Sequence, residues 1–137
     1  MDEIQRIITE NAPKPGNYSQ GIKVDIGPGW MVYVSGQTGN VVTGQQGVIS
    51  DSIIEQTRQA LKNIEAIIIE SEGDRKNIVD MTVFLKDLKA KPDFEIAYSQ
   101  FFHGQRYPAR SLVEVSDIPL RGEGCLVELK AIAYIPK

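Results

Sequence analysis

Ile54, Thr57, Leu61, Ile64 and Ile68 recur at three- and four-residue intervals through residues 51–70, with Ala60 beside them. That spacing draws one apolar stripe along an amphipathic helix, and such a stripe has to be buried against a second layer. It therefore reads as core and not as a binding face. Ser50 or Asp51 is placed to cap the helix, and Gly73, within Ser71-Glu72-Gly73-Asp74, to end it. The second layer is written on either side. Residues 20–26 and 30–36 alternate, imperfectly, between apolar and polar types around Gly27-Pro28-Gly29, which predicts a hairpin. The Gly-, Gln- and Thr-rich stretch 37–50 predicts a loop. Residues 78–86, 111–116 and 124–135 are β-branched and apolar and predict three more strands. Between the first two of these, Phe94, Ala97, Tyr98 and Phe101 repeat at helical spacing after Pro92-Asp93, a fitting helix start. The order ββαβαββ is an α+β arrangement with both helices on one face of a mixed sheet. Its other face needs a cover, which partner subunits supply economically.

The 137 residues fit one domain spanning 1–137, large enough for a hydrophobic core without disulfide or metal support. The formal net charge of −3 argues against general nucleic-acid binding, which needs a basic face. Cys125 is the lone cysteine, so no intrachain disulfide forms; with no apolar leader or membrane-length run, the expectation is a cytoplasmic protein away from membranes. Asn17-Tyr18-Ser19 matches a glycosylation sequon, which has no use without secretion.

Much chemistry is excluded at this level. His103 is the only histidine, which leaves a Ser/His/Asp triad one choice of base. Neither His103 nor Cys125 has neighbours at ligand spacing, so no metal site is expected. No phosphate- or dinucleotide-binding fingerprint occurs. His103 reads as a surface loop residue and Cys125 as an inert buried thiol.

Several strings stand together in order: Gly16-Asn17-Tyr18-Ser19-Gln20, Ser35-Gly36-Gln37, the helix Gln56 to Ile64 (QTRQALKNI), Val83-Phe84-Leu85-Lys86-Asp87, Pro108-Ala109-Arg110-Ser111, and Val127 to Ala133 (VELKAIA). From about Asn11 to Tyr134 this ordered set resembles the reactive-intermediate deaminase (RidA/YjgF-like) family. The resemblance implies a chorismate-mutase-like, RidA-like fold and a homotrimer with a barrel-like core and clefts between subunits. It also implies hydrolysis of 2-imino and enamine acids, of the 2-aminoacrylate or 2-iminopropanoate kind, to 2-keto acids and ammonia without a cofactor. Carried over by position, Arg110 would grip the substrate carboxylate through a bidentate pair. Glu128 would orient the attacking water and accept its proton. The Tyr18 hydroxyl and the Ser35-Gly36-Gln37 segment would add hydrogen bonds. Each has a plainer reading: a solvated strand-start arginine, a solvent-facing acid in phase with Leu126, Lys130 and Ile132, a loop tyrosine packed on the core.

The chain also departs from the family pattern. Leu112 stands where many active members have a cleft-lining cysteine, and Glu95 where members often have asparagine. Glu95 in the cleft would repel a substrate carboxylate or pair with Arg110 in its place. The stretch from Phe102 to Pro108 is short, and Asn17 replaces a usual proline. These departures motivate an alternative: a non-catalytic trimer that binds small carboxylates such as 2-keto acids. RNA cleavage, ascribed to some members, fits the acidic balance poorly.

Overall fold

The computed structural model describes residues 2–42, 47–119 and 124–137. Its elements are β1 (Ile4–Ile7), β2 (Gly21–Asp25), β3 (Gly29–Thr38), α1 (Ile53–Glu70), β4 (Ile78–Leu85), α2 (Lys91–Phe101), β5 (Ala109–Glu114) and β6 (Val127–Pro136). The six strands form one sheet in the order β1-β2-β3-β6-β4-β5. Every neighbouring pair is antiparallel except β4–β5, which run parallel with α2 as their crossover. The α+β reading, with a mixed sheet and two helices, therefore holds, with one strand more than the sequence suggested.

That strand is β1. Its four residues lie on the sheet edge, and Ile4 is exposed while Ile7 is buried, so the sequence offers almost no apolar pattern to read. The predicted hairpin is β2–β3. Gly27 closes it at φ 101°, in the left-handed region that glycine adopts without steric cost. Two boundaries move. β3 continues through Gln37 and Thr38, which were expected in the loop; Thr43 to Gln46 of that loop lie outside the described residues. β5 begins at Ala109, so Arg110 lies within a strand and not before one.

Helix α1 starts one residue beyond the predicted caps: Ser52 accepts from the Glu55 amide, while the Ser50 hydroxyl accepts from the Ser52 amide. Its end is a Schellman arrangement. The Gly73 amide donates to Ile68 and the Glu72 amide to Ile69, with Glu72, not the predicted Gly73, at positive φ (72°). Gly73 is required for space instead, since a Cβ there would sit 2.6 Å from Ile135 Cδ1. The buried stripe is turned slightly from the one read in sequence: Ile53 and Ile67 are buried, and Ile54 is only half-buried.

One core joins the layers. From β6, Val127, Leu129, Ala131 and Ala133 are buried; from β4, Met81, Val83 and Leu85; from the helices, Leu61, Ile64, Phe94 and Tyr98. Alternation sends the intervening residues to the opposite, helix-free face. There Met31 and Tyr33 of β3 lie beside Tyr134 and Ile132 of β6, and Phe84 of β4 lies beside Glu128. This second face is largely apolar and bears Glu128.

Candidate active site

Arg110 belongs to the helix side of the sheet, because it pairs in register with the core residue Met81. It meets α2 there. Nη1 donates to Glu95 Oε1 at 2.6 Å and Nη2 to Oε2 at 2.8 Å, a parallel bidentate pair. The guanidinium also lies over the Tyr98 ring, 4.8 Å from its centroid. Arg110 holds the Glu95 carboxyl down to about 2, and burial pushes the Tyr98 phenol up to about 12. Glu95 in return raises Arg110 further. A cleft of about 590 Å³ opens over this group, walled by Ile96, Tyr98, Tyr107 and Pro108, with Glu95 and Arg110 at its edge. The Tyr98 hydroxyl is buried and has no hydrogen-bond partner among the described residues.

Glu128 lies elsewhere. Its neighbours Val127 and Leu129 are fully buried on the helix side, so its own side chain points to the other face of the sheet. It lines a cavity of about 240 Å³ together with Gly16, Tyr18, Gly36, Gln37 and Thr38. Burial raises its pKa and Lys130 pulls it partly back. A β-bulge between Val34 and Gln37 carries Ser35 and Gly36 past it. Gly36 is needed for this approach, since a Cβ there would stand 2.7 Å from Glu128 Oε2. Tyr18 is 54% exposed at the mouth. The Ser35 hydroxyl is already committed to the Ser19 carbonyl, and Gln37 Nε2 reaches back to the Ser35 carbonyl at 3.3 Å.

The structure thus gathers Tyr18, Gly36, Gln37 and Glu128 in one place, with Ser35 supporting them, and Glu95 with Arg110 in another. Leu112 lies on the Arg110 side, in register with Val83, and packs against the core. Cys125 is buried, its thiol pushed up to about 11 by burial, and His103 is exposed. No cluster of potential metal ligands occurs among the described residues, and no helix there is long and apolar enough to cross a membrane.

Two buried amide side chains, Gln20 and Asn63, hold backbone that lines the Glu128 cavity, and a third, Gln56, holds the approach to β6, roles the sequence did not disclose. Gln20 Oε1 accepts from the Thr9 amide, and its Nε2 donates to the carbonyls of Thr9, Ala12 and Pro13, which pins the segment leading to Tyr18. Gln56 Nε2 donates to the Ser50 and Gly124 carbonyls, and its Oε1 accepts from the Leu126 amide just before β6. Asn63 Nδ2 donates to the Thr38 and Asn40 carbonyls beyond the bulge. Each amide satisfies loop backbone that would otherwise be buried unpaired. All three residues sit inside the recurring strings of the sequence, but a glutamine on a helix reads as surface until its burial is known.

With the two clusters placed, the chain can be set among known proteins. Residues 9–135 match the family described as Endoribonuclease L-PSP. The chain belongs to this family, the reactive-intermediate deaminase (RidA/YjgF-like) group that its motifs resemble. It is 42% identical over 135 residues to a RutC family protein of Pyrococcus abyssi, covering 93% of this chain and 94% of that one. It is 39% identical over 130 residues to the 2-iminobutanoate/2-iminopropanoate deaminase of Salmonella typhimurium, again covering 93% and 94%. Among solved structures it is similar to E. coli TdcF with bound serine, with a TM-score of 0.83 at 33% identity over 97% of this chain and 99% of that one.

Proposed function

We propose that the protein hydrolyses 2-imino acids and their enamine tautomers to 2-keto acids and ammonia. The observation that carries this reading is Glu128: a half-buried carboxylate with raised pKa, without hydrogen-bond or ion-pair partner among the described residues, held against Gly36 in a polar cavity. A carboxylate with free lone pairs and raised basicity is suited to take a proton from water. Water adds to the imine carbon as Glu128 accepts one of its protons and returns it to nitrogen; the remaining hydroxyl proton then passes to nitrogen by the same route as the C–N bond breaks, so that the carbonyl forms and ammonia leaves. A 2-iminopropanoate and one water thereby become pyruvate and ammonia. Arg110 anchors the carboxylate, and the Tyr18 hydroxyl with the Gly36–Gln37 backbone steadies the adduct. Because the substrate is already electrophilic, positioning supplies much of the acceleration. No cofactor enters these steps.

Within one chain Arg110 and Glu128 stand on opposite faces of the sheet, so they act on one molecule only if a second copy brings its own face alongside. The apolar helix-free face around Tyr33, Ile132 and Tyr134 offers a surface for that contact. We therefore propose a homotrimer with a barrel-like core, whose clefts combine Arg110 of one subunit with Glu128 of its neighbour. A cytoplasmic setting suits a lone buried thiol. The deaminase name of the Salmonella relative and the serine bound to TdcF support a small-molecule substrate. The ribonuclease in the family description finds less support here, given the net charge of −3.

The test generates iminopropanoate with an amino-acid oxidase and follows its decay. The expected result is acceleration by wild type and its loss in Arg110→Ala. If wild type leaves the buffer rate unchanged across several imino acids, the catalytic reading fails. The second reading, a non-catalytic trimer that binds small carboxylates, is favoured by one observation: Glu95 already occupies the guanidinium fork that a substrate would use, which hinders the productive pose. It predicts ligand-dependent stabilisation without turnover.

A further inference from the structure

Arg110 does not wait with an empty fork. Both of its terminal nitrogens are engaged by Glu95, and the pair is only partly open to solvent, with Arg110 23% and Glu95 34% exposed. A ligand carboxylate that enters the cleft must share or displace that fork, and Glu95 then stands beside it as a second anion. Glu95 is ionised throughout the neutral range, so it does not relieve the repulsion by taking a proton. Apolar and aromatic side chains, Ile96, Tyr98 and Tyr107, line much of the cleft and strengthen any uncompensated charge there. Two partners can restore balance. One is Lys91, whose Nζ lies 3.0 Å from Glu95 Oε2, but its side chain is 47% exposed and such pairs are screened by solvent. The other is a cation carried by the ligand itself.

We propose that Glu95 sets the specificity of the Arg110 cleft, so that it takes ligands bearing a carboxylate next to a cationic nitrogen, 2-iminium acids and amino-acid zwitterions, in preference to 2-keto acids. The carboxylate goes to Arg110 and the adjacent N–H group donates to Glu95, which keeps every charge paired. A 2-keto acid is disfavoured because it leaves the partly buried Glu95 facing a second anion, with only the exposed Lys91 to offset it. For a deaminase the preference has a direction. The protonated imine is the more electrophilic form and is held, while the keto-acid product has lost its cation and is released. The inference rests on the reading that Arg110 anchors a carboxylate, but it concerns binding and not turnover.

The experiment titrates the full-length protein at neutral pH with two matched pairs, L-alanine against pyruvate and L-leucine against 4-methyl-2-oxopentanoate, by ligand-observed NMR or calorimetry. Wild type is expected to bind each amino acid at least about tenfold more tightly than its keto acid. Glu95→Gln is expected to reverse that order, while Glu95→Asp and Lys91→Ala keep it. Equal or tighter keto-acid binding by wild type, an unchanged order in Glu95→Gln, a reversed order in Lys91→Ala, or no binding of either member overturns the proposal. Imine hydrolysis measured on the same samples separates the two readings. Turnover with selectivity indifferent to Glu95 sinks this inference alone. Glu95-dependent selectivity without turnover sinks the deaminase reading alone.

Discussion

Gly36→Ala adds a single methyl group, and the structure says where it goes. The new Cβ would lie 2.7 Å from Glu128 Oε2 and 2.8 Å from Cδ. The carboxylate has to retreat by about 0.7 Å to regain ordinary van der Waals contact. Gly36 is not among the glycines at positive φ, so alanine meets no backbone strain. Replacing glycine at a compatible position stabilises by roughly 0.4–1 kcal/mol through the unfolded chain, which offsets part of the crowding. The fold should therefore hold while the base moves. Misplacing a catalytic group by about 1 Å costs on the order of 100-fold, so a fall in kcat of roughly 10- to 100-fold is expected, or about 1.4–2.7 kcal/mol. Imine decay and thermal melting are measured on the same preparation. A wild-type kcat in Gly36→Ala would show that the position of Glu128 does not set the rate. A fall in Tm of more than about 10 °C would show that the strand, not the carboxylate, gives way, and the steric argument would then be wrong.

Gln20→Leu removes three donated bonds and one accepted bond and leaves the Thr9 amide without its partner; a loss of about 3 kcal/mol is expected in chemical denaturation at fixed protomer concentration, and a loss below about 1 kcal/mol would mean that water replaces the amide. Glu128 holds its proton to higher pH in the folded state than in the unfolded one, so its contribution to stability is present below the unfolded value of about 4.3 and lost as pH rises through the folded value. Glu128→Gln should accordingly melt higher than wild type at pH 7, with the advantage gone below about pH 4, while the proposed mechanism predicts that it loses activity. Glu95 runs the opposite way: its folded pKa of about 2 makes its contribution full above the unfolded value and lost as pH falls toward 2, so Glu95→Gln should flatten acid denaturation over that window, as melting from pH 5 downward would show.

The parts of the fold that could be read in sequence are those where period and burial agree. The β2–β3 hairpin, both helices and the phase of β6 follow from spacing alone, because each element buries a continuous stripe. Glu128 was placed in phase with Lys130 and Ile132, and the structure keeps it there. β1 left no trace because an edge strand of four residues with little burial needs no pattern. Gln20, Gln56 and Asn63 were quoted as motif letters without a role, since the carbonyls they satisfy lie in other segments of the chain. The pairing of Glu95 with Arg110 was one of two outcomes open to an acid near that arginine, and geometry selects it. The face occupied by Arg110 could not be assigned while the strand was thought to begin at Ser111. Two added residues at the start of β5 put Arg110 in register with Met81, and thereby on the side of the sheet opposite Glu128.

That opposition makes the proposed shared cleft testable by complementation. Arg110→Ala and Glu128→Gln should each be inactive alone. If the two side chains served one substrate within a chain, every chain in a mixture would lack one of them, and no active site could form. If Arg110 of one subunit works with Glu128 of its neighbour, mixed trimers regenerate complete sites wherever a Glu128→Gln chain lends its arginine to an Arg110→Ala chain. With random assembly from equal amounts, about one site in four is complete, so co-expression should restore roughly a quarter of the wild-type kcat per site. Mass spectrometry of the assembled oligomers verifies exchange. Verified mixed oligomers without activity would refute the shared cleft and require that Arg110 and Glu128 do not act on the same molecule.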